Sequence, residues 1–178
     1  MRWVGILILA AALSAGCGNS ETTVVGSNGE TVTTSKSGGT TTYSDNKGNS
    51  ATVSEDGKQM TFKNEKGESG TIGQGVSEAD LGLPFYPGSV DKPGASVKFE
   101  QAGEKTVASS RTSKDEPAQV VAFYKDKIED PKDSSVNSGD MKMGSLGGKL
   151  KDGAEVAIMA SKTGSAETDV VVTVKHKK

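Results

Sequence analysis

Few side chains in this sequence could do covalent or acid–base chemistry. There is one cysteine, Cys17, and one histidine, His176. A lone thiol can serve as a nucleophile, a metal ligand, a redox sensor or a small buried hydrophobe. One cysteine alone excludes an internal disulfide, a C-x-x-C redox pair and a multi-cysteine zinc cluster. His176 stands in the basic tail KHKK. A general base needs a pocket and a partner, so this histidine reads as a solvated strand end. Glu129 and Asp130 close a predicted helix, where carboxylates oppose the dipole; a solvated surface pair is the expectation. No serine stands in a G-x-S-x-G setting, and neither a phosphate loop nor a metal-ligand cluster appears. No catalytic residue, no metal ligand and no dissociable cofactor is expected.

The surroundings of Cys17 decide among its possible roles. Met1-Arg2 is a short positive start, and Val4 to Leu13 is an unbroken apolar run of ten residues. That run is too short for a membrane span of about 20 residues but suits the apolar region of a signal peptide. Ser14, Ala15 and Gly16 then lead into Cys17. The stretch resembles the bacterial lipoprotein signal, whose lipobox ends in an invariant cysteine. Ser14 stands where leucine is commonest, a variation that the signal tolerates. The resemblance implies removal of residues 1–16, with Leu13, Ser14, Ala15 and Gly16 as the cleavage recognition site. It also implies acyl lipid on Cys17, which becomes residue one and part of a lipidated linker over 17–26. Each buried CH₂ contributes about 0.8 kcal/mol, so two or three chains anchor firmly where one holds marginally. Gly18 is not the aspartate that retains such proteins at the inner membrane, so in a source with two membranes the resemblance implies the outer one.

Beyond the linker the glycines fall into register. Gly29, Gly38, Gly48, Gly57 and Gly67 are nine or ten residues apart. Each opens a turn (Asn-Gly, Ser-Gly-Gly, Lys-Gly, Asp-Gly) and is followed by residues rich in Thr, Val, Tyr or Phe, which suit strands. The pairs Val32/Thr34, Thr41/Tyr43, Ala51/Val53, Met60/Phe62 and Gly70/Ile72 have the period of two that puts them on one face. A meander of about five short strands over 27–76 is expected, thin enough to want a partner surface or a second copy. Gly-rich nonapeptides can also bind calcium in a β-roll. Asp45 and Asp56 are present, but no unit has the full Gly-Gly-x-Gly-x-Asp order.

Residues 77–178 open on LPFYPG, where Pro84, Pro87 and Pro93 exclude a central strand and YPGS forms a turn. Phe85 and Tyr86 are expected to plug a core. A hairpin is predicted over 95–112. A helix follows, capped by Ser113 or Asp115 and ended by Pro131, with Val120, Val121, Phe123, Tyr124 and Ile128 as its apolar face. After a loose Gly-rich stretch, Val136 to Leu150, a second hairpin is predicted around KTGSAE. The expected fold class is α+β: one helix on an antiparallel sheet of four or five strands, beyond the repeat.

This constellation, LPFYPG with a later PAQVVAFYKDKI helix, resembles a group of uncharacterised bacterial lipoproteins that combine a Gly/Thr repeat with a domain opening on P-x-Y-P-G. That resemblance implies architecture and a cell-envelope location, with no activity attached. A net charge of −2 excludes the basic surface nucleic acids require. Lys175, Lys177 and Lys178 could touch anionic headgroups or simply solubilise the end. The functional expectation is a non-enzymatic lipid-anchored module on a β stalk, binding an envelope protein or polymer. The alternative is a tethered extracytoplasmic hydrolase using carboxylates.

Overall fold

Turn chemistry every nine or ten residues, alternating with β-formers, makes a chain of hairpins. Residues 20–73 and 75–177 are described in the structure, a computed structural model. Six strands precede the proline-rich border: β1 (Ser20–Val25), β2 (Thr31–Ser37), β3 (Thr40–Asp45), β4 (Ser50–Ser54), β5 (Met60–Lys63) and β6 (Ser69–Gly73). Each pairs antiparallel with the next. The expected meander therefore has one strand more than its glycines announced, because β1 lies inside the stretch read as linker. The register puts Thr34, Tyr43, Ala51, Phe62 and Gly70 in one row across the strands. Thr41, Val53, Met60 and Ile72 lie in the next. The face predicted from period two is thus the face observed.

The remaining elements are α1 (Glu78–Leu81), β7 (Val90–Asp91), β8 (Ser96–Gln101), β9 (Glu104–Ser113), α2 (Pro117–Lys125), β10 (Glu129–Ser138), β11 (Met141–Lys149), β12 (Glu155–Thr163) and β13 (Thr168–Lys177). β8 pairs with β6, so the described strands form a single sheet ordered β1-β2-β3-β4-β5-β6-β8-β9-β13-β12-β11-β10, with β7 beside β9. Strand takes 57% of the described residues and helix 8%. The α+β class is overturned: the described residues form a β structure of 13 strands in one antiparallel sheet with two helices.

Two features of the second half account for the difference. The glycine-rich stretch Val136–Leu150, expected to be loose, lies almost wholly in the β10–β11 hairpin. Its glycines mark close approach rather than disorder: a Cβ on Gly144 would lie 2.8 Å from Val121 Cγ2 of α2. The helix is also shorter than its apolar pattern. It runs Pro117–Lys125 from Glu116, whose N–H donates to Gln119 Oε1 at 3.0 Å, whereas Ser113 Oγ accepts from the Asp115 N–H instead. Glu129 and Asp130 open β10 rather than close α2. Asp130 has φ 49° at a register shift, and Pro131 sits in an edge strand, where a missing donor costs little.

The core lies on one face of the sheet's second half. Val107, Leu146, Val156, Ile158, Ala160, Val170, Val172 and Val174 point to it. α2 covers them with Val120, Val121 and Tyr124, and the proline-rich border adds Leu81, Leu83 and Tyr86. Tyr86 plugs the core as expected, edge-on to Phe123 at 5.3 Å, with its hydroxyl donating to Asp115 Oδ2 at 2.7 Å. YPGS is a turn closed by Ser89 N–H to Tyr86 O at 3.1 Å. Arg111 straps it to β9, donating to Ser89 Oγ and O while stacking 4.1 Å from the Phe85 ring. In α1, Ser77 caps and Asp80 completes a capping box while pairing with Lys98 of β8 at 2.8 Å.

Candidate functional site

Alternation gives this sheet two unlike faces. On the face that α2 covers farther along, β1 to β6 present hydroxyls. Thr23 bonds Thr33 at 2.9 Å, Thr42 bonds Thr52 at 2.9 Å, and Thr61 bonds Thr71 at 3.3 Å. Cross-strand threonine pairs of this kind contribute roughly 0.2–1 kcal/mol each. The opposite, open face carries the apolar rows and continues through Val97 and Phe99 of β8, Ala108 of β9, Thr173 of β13 and Ala157 of β12.

The turns at one end are stitched together. Gly29, Gly48 and Gly67 recur every 19 residues, so the structural unit is a hairpin of two strands rather than the single nine- or ten-residue unit. Asn46 donates to Gly29 O at 3.1 Å, Glu65 N–H donates to Asn49 Oδ1 at 3.1 Å, and Gln101 donates to Glu68 Oε1 at 2.6 Å. Lys47 also pairs with Glu30. Asp45 accepts from the Lys47 and Asn49 N–H groups, and Asp56 from Ser54 Oγ and the Lys58 N–H. The two aspartates considered for calcium are thus turn-closing acceptors.

A groove of about 490 Å³ lies where α2 stops short of the sheet's edge. α2 packs mainly on β11 and β12, and β10 projects beyond it. Ala118, Val121 and Ala122 form one wall, with Asp133, Ser135 and Asn137 of β10 opposite. Ion pairs line it. Glu116 accepts from Lys142 and Lys162, both at 2.8 Å, and Asp133 from Lys125 at 3.1 Å. The two lysine hydrogen bonds hold the Glu116 carboxyl down at about 2. Such a groove offers hydrogen-bonding groups and a small apolar wall.

The other predicted residues are dispersed. Cys17 and the recognition residues Leu13, Ser14, Ala15 and Gly16 lie outside the described residues. His176 is on β13, its Nδ1 3.7 Å from Asp152 Oδ2. Lys175 pairs with Glu104 and Lys177 with Glu155, each at 2.8 Å, so these tail charges are already engaged; Lys178 is outside the described residues. Among the described residues no three His, Cys, Asp or Glu side chains converge to hold a metal, and no helix is long and apolar enough to cross a membrane. The groove residues went unnoticed in the sequence because Glu116, Asp133 and Lys142 belong to different elements. The hydroxyl face did leave a signal, threonine or serine at alternate positions of successive units.

Comparison with family models, with curated proteins and with solved structures finds no match for this chain.

Proposed function

We propose that this chain is a non-catalytic lipoprotein of the bacterial cell envelope, held to a membrane by acyl lipid on Cys17. The repeat acts as a spacer that carries the α2 groove away from the bilayer. The observation that supports this is the strand order. β1 begins three residues after Cys17 and is one outer strand; β10, beside the groove, is the other. At ~4.8 Å per strand, the 11 steps between them amount to ~50 Å. A lipid at one edge and a groove at the other is the arrangement a tethered binding module needs. The leader, the repeat and the P-x-Y-P-G border all agree with the lipoprotein family that the sequence resembles. In a source with two membranes the address is the outer membrane.

The groove's electrostatics favour binding over a tethered hydrolase. Carboxylate-based hydrolysis uses one carboxyl raised toward neutrality as the acid. Glu116 is pushed the opposite way, and Asp133 is engaged by Lys125. The partner is an envelope protein or polymer able to meet a neutral, hydrogen-bonding groove.

Lipidated protein in vesicles tests the reading. A dye on Asn137→Cys should lie ~50 Å from a bilayer acceptor, by the strand spacing above. Deleting 45–63 joins Ser44 to the equivalent turn at Asn64 and removes two strands, which should bring the dye ~10 Å closer. Cys17→Ser should take up no lipid label. A dye within ~20 Å of the bilayer in both proteins, a distance of only about four strands, would mean the sheet lies flat and is no spacer.

A further inference from the structure

The open face is apolar where none of the described residues covers it. From β3 to β8 its two rows read Thr41, Val53, Met60, Ile72 and Val97, then Tyr43, Ala51, Phe62, Gly70 and Phe99. Not one is charged. Ala108, Thr173 and Ala157 continue the first row across β9, β13 and β12, with Val171 and Met159 beside it. Charge returns on β2 with Lys36, and on β13 and β12, where the second row passes from Phe99 through Thr106 to Lys175 and Glu155; Asp45 and Asp169 flank the stripe along its sides. Tyr43 is 44% exposed and Met159 50%.

We propose that this face is the interface of a homodimer, two copies stacking open face to open face. The dimensions support a second copy as the occupant. Eight strands at ~4.8 Å by two rows at ~7 Å give about 530 Å² per copy, or about 1,100 Å² together. That just clears the ~1,000 Å² expected of a specific interface, which makes the dimer weak. The surface is long and narrow, so its complement must have the same outline, and a second copy supplies it through a two-fold axis. Sheets stack in this way at about 10 Å, with large side chains meeting small ones. Here Tyr43, Phe62 and Met159 alternate with Ala51, Ala108 and Ala157. The chain's net charge of −2 loses only Arg2 with the leader, so a copy without it carries 20 basic against 23 acidic residues and little repulsion. Tethering both copies in one leaflet would raise their effective concentration and strengthen a weak contact. The pairing itself is independent of the anchor and of the spacer role.

Sedimentation velocity on the chain from Gly18 onward, which contains every described strand, tests this. A monomer–dimer equilibrium in the micromolar range is expected. Tyr43→Lys should weaken it about tenfold or more, because a charge enters the apolar contact and loses water on pairing. Thr61→Lys, on the hydroxyl face, should leave it unchanged. Should Tyr43→Lys fail to fold, Ile72→Cys, near the middle of the stripe, should give an intermolecular disulfide under mild oxidation. A monomer at ~200 µM, well above a micromolar dissociation constant, would overturn the proposal. Equal weakening by Thr61→Lys would do the same. So would binding of the unlipidated monomer to phosphatidylcholine vesicles that Tyr43→Lys abolishes, which would assign the face to lipid.

Discussion

Gly70 is where the repeat's glycine pattern meets its aromatic residues, and replacing it by alanine separates two opposing effects. A methyl there would lie 2.5 Å from Phe62 Cζ, 2.7 Å from Phe62 Cε1 and 3.1 Å from Phe99 Cδ2. The Phe62 ring must retreat by roughly 1 Å and the Phe99 ring by roughly half as much to restore ordinary contact near 3.5–4 Å. Both rings are on the open face, so they swing toward solvent instead of compressing a core. If each exposes about 30 Å² more, the loss is about 1.5 kcal/mol at 25 cal/mol per Å². Against this, alanine in a strand recovers about 0.5–1 kcal/mol of the entropy that glycine loses on folding. The loss wins, and Gly70→Ala should destabilise by about 1 kcal/mol. In a Phe62→Ala background the nearest clash is gone, and the same change should stabilise by about 0.5 kcal/mol. The resulting coupling of about 1.5 kcal/mol stands well above the 0.3–0.5 kcal/mol scatter of independent sites. Urea unfolding of the four proteins, followed by far-ultraviolet circular dichroism at one protein concentration, measures it. Stabilisation by Gly70→Ala alone, or additivity in the cycle, would refute this account of ring packing over the glycine.

Asp80 gives an acid-side test. Its hydrogen bonds to Lys98 and Ser77 hold the carboxyl well below the usual range. Its contribution is therefore present above the unfolded carboxyl pKa near 3.9 and is lost as pH falls toward the depressed folded value. Asp80→Ala should cost about 1–2 kcal/mol at pH 7, with the difference from the parent shrinking below pH 4 in acid-unfolding curves. Tyr86 and Tyr124 give the alkaline counterpart. Burial, joined in Tyr86 by the bond to Asp115, pushes both phenols up to about 12. The stability they provide is complete below the unfolded value near 10 and is lost as pH rises toward 12. Absorbance titration should find both phenols still protonated at pH 11. Tyr86→Phe should cost about 1 kcal/mol at pH 8 and reduce the alkaline loss in matched unfolding curves.

Sequence alone determined what depends on neighbours in the chain. The hairpin turns, the alternation of each strand and the shared face of Tyr43, Ala51, Phe62 and Gly70 follow from residue type at short range, because turns and pleats are local. The proposed leader ending at Cys17 rests on the same kind of signal, a contiguous string. Tertiary structure decided the rest. That β6 finds β8, merging repeat and helix-bearing half into one sheet, depends on pairing across the proline-rich border, which no local pattern encodes. Glycines at 144, 147 and 148 look like a loop until α2 is seen pressing on the first of them. Glu129, Asp130 and Pro131 look like a helix end until β10 takes them as a protected edge. The groove exists because a nine-residue helix packs mainly on β11 and β12 and meets β10 only lightly. Its ion pairs join residues up to 46 apart in sequence. Periodicity tells which way a side chain points, whereas the strand that comes to lie beside it is settled by competition among all the chain's edges and apolar rows for cover.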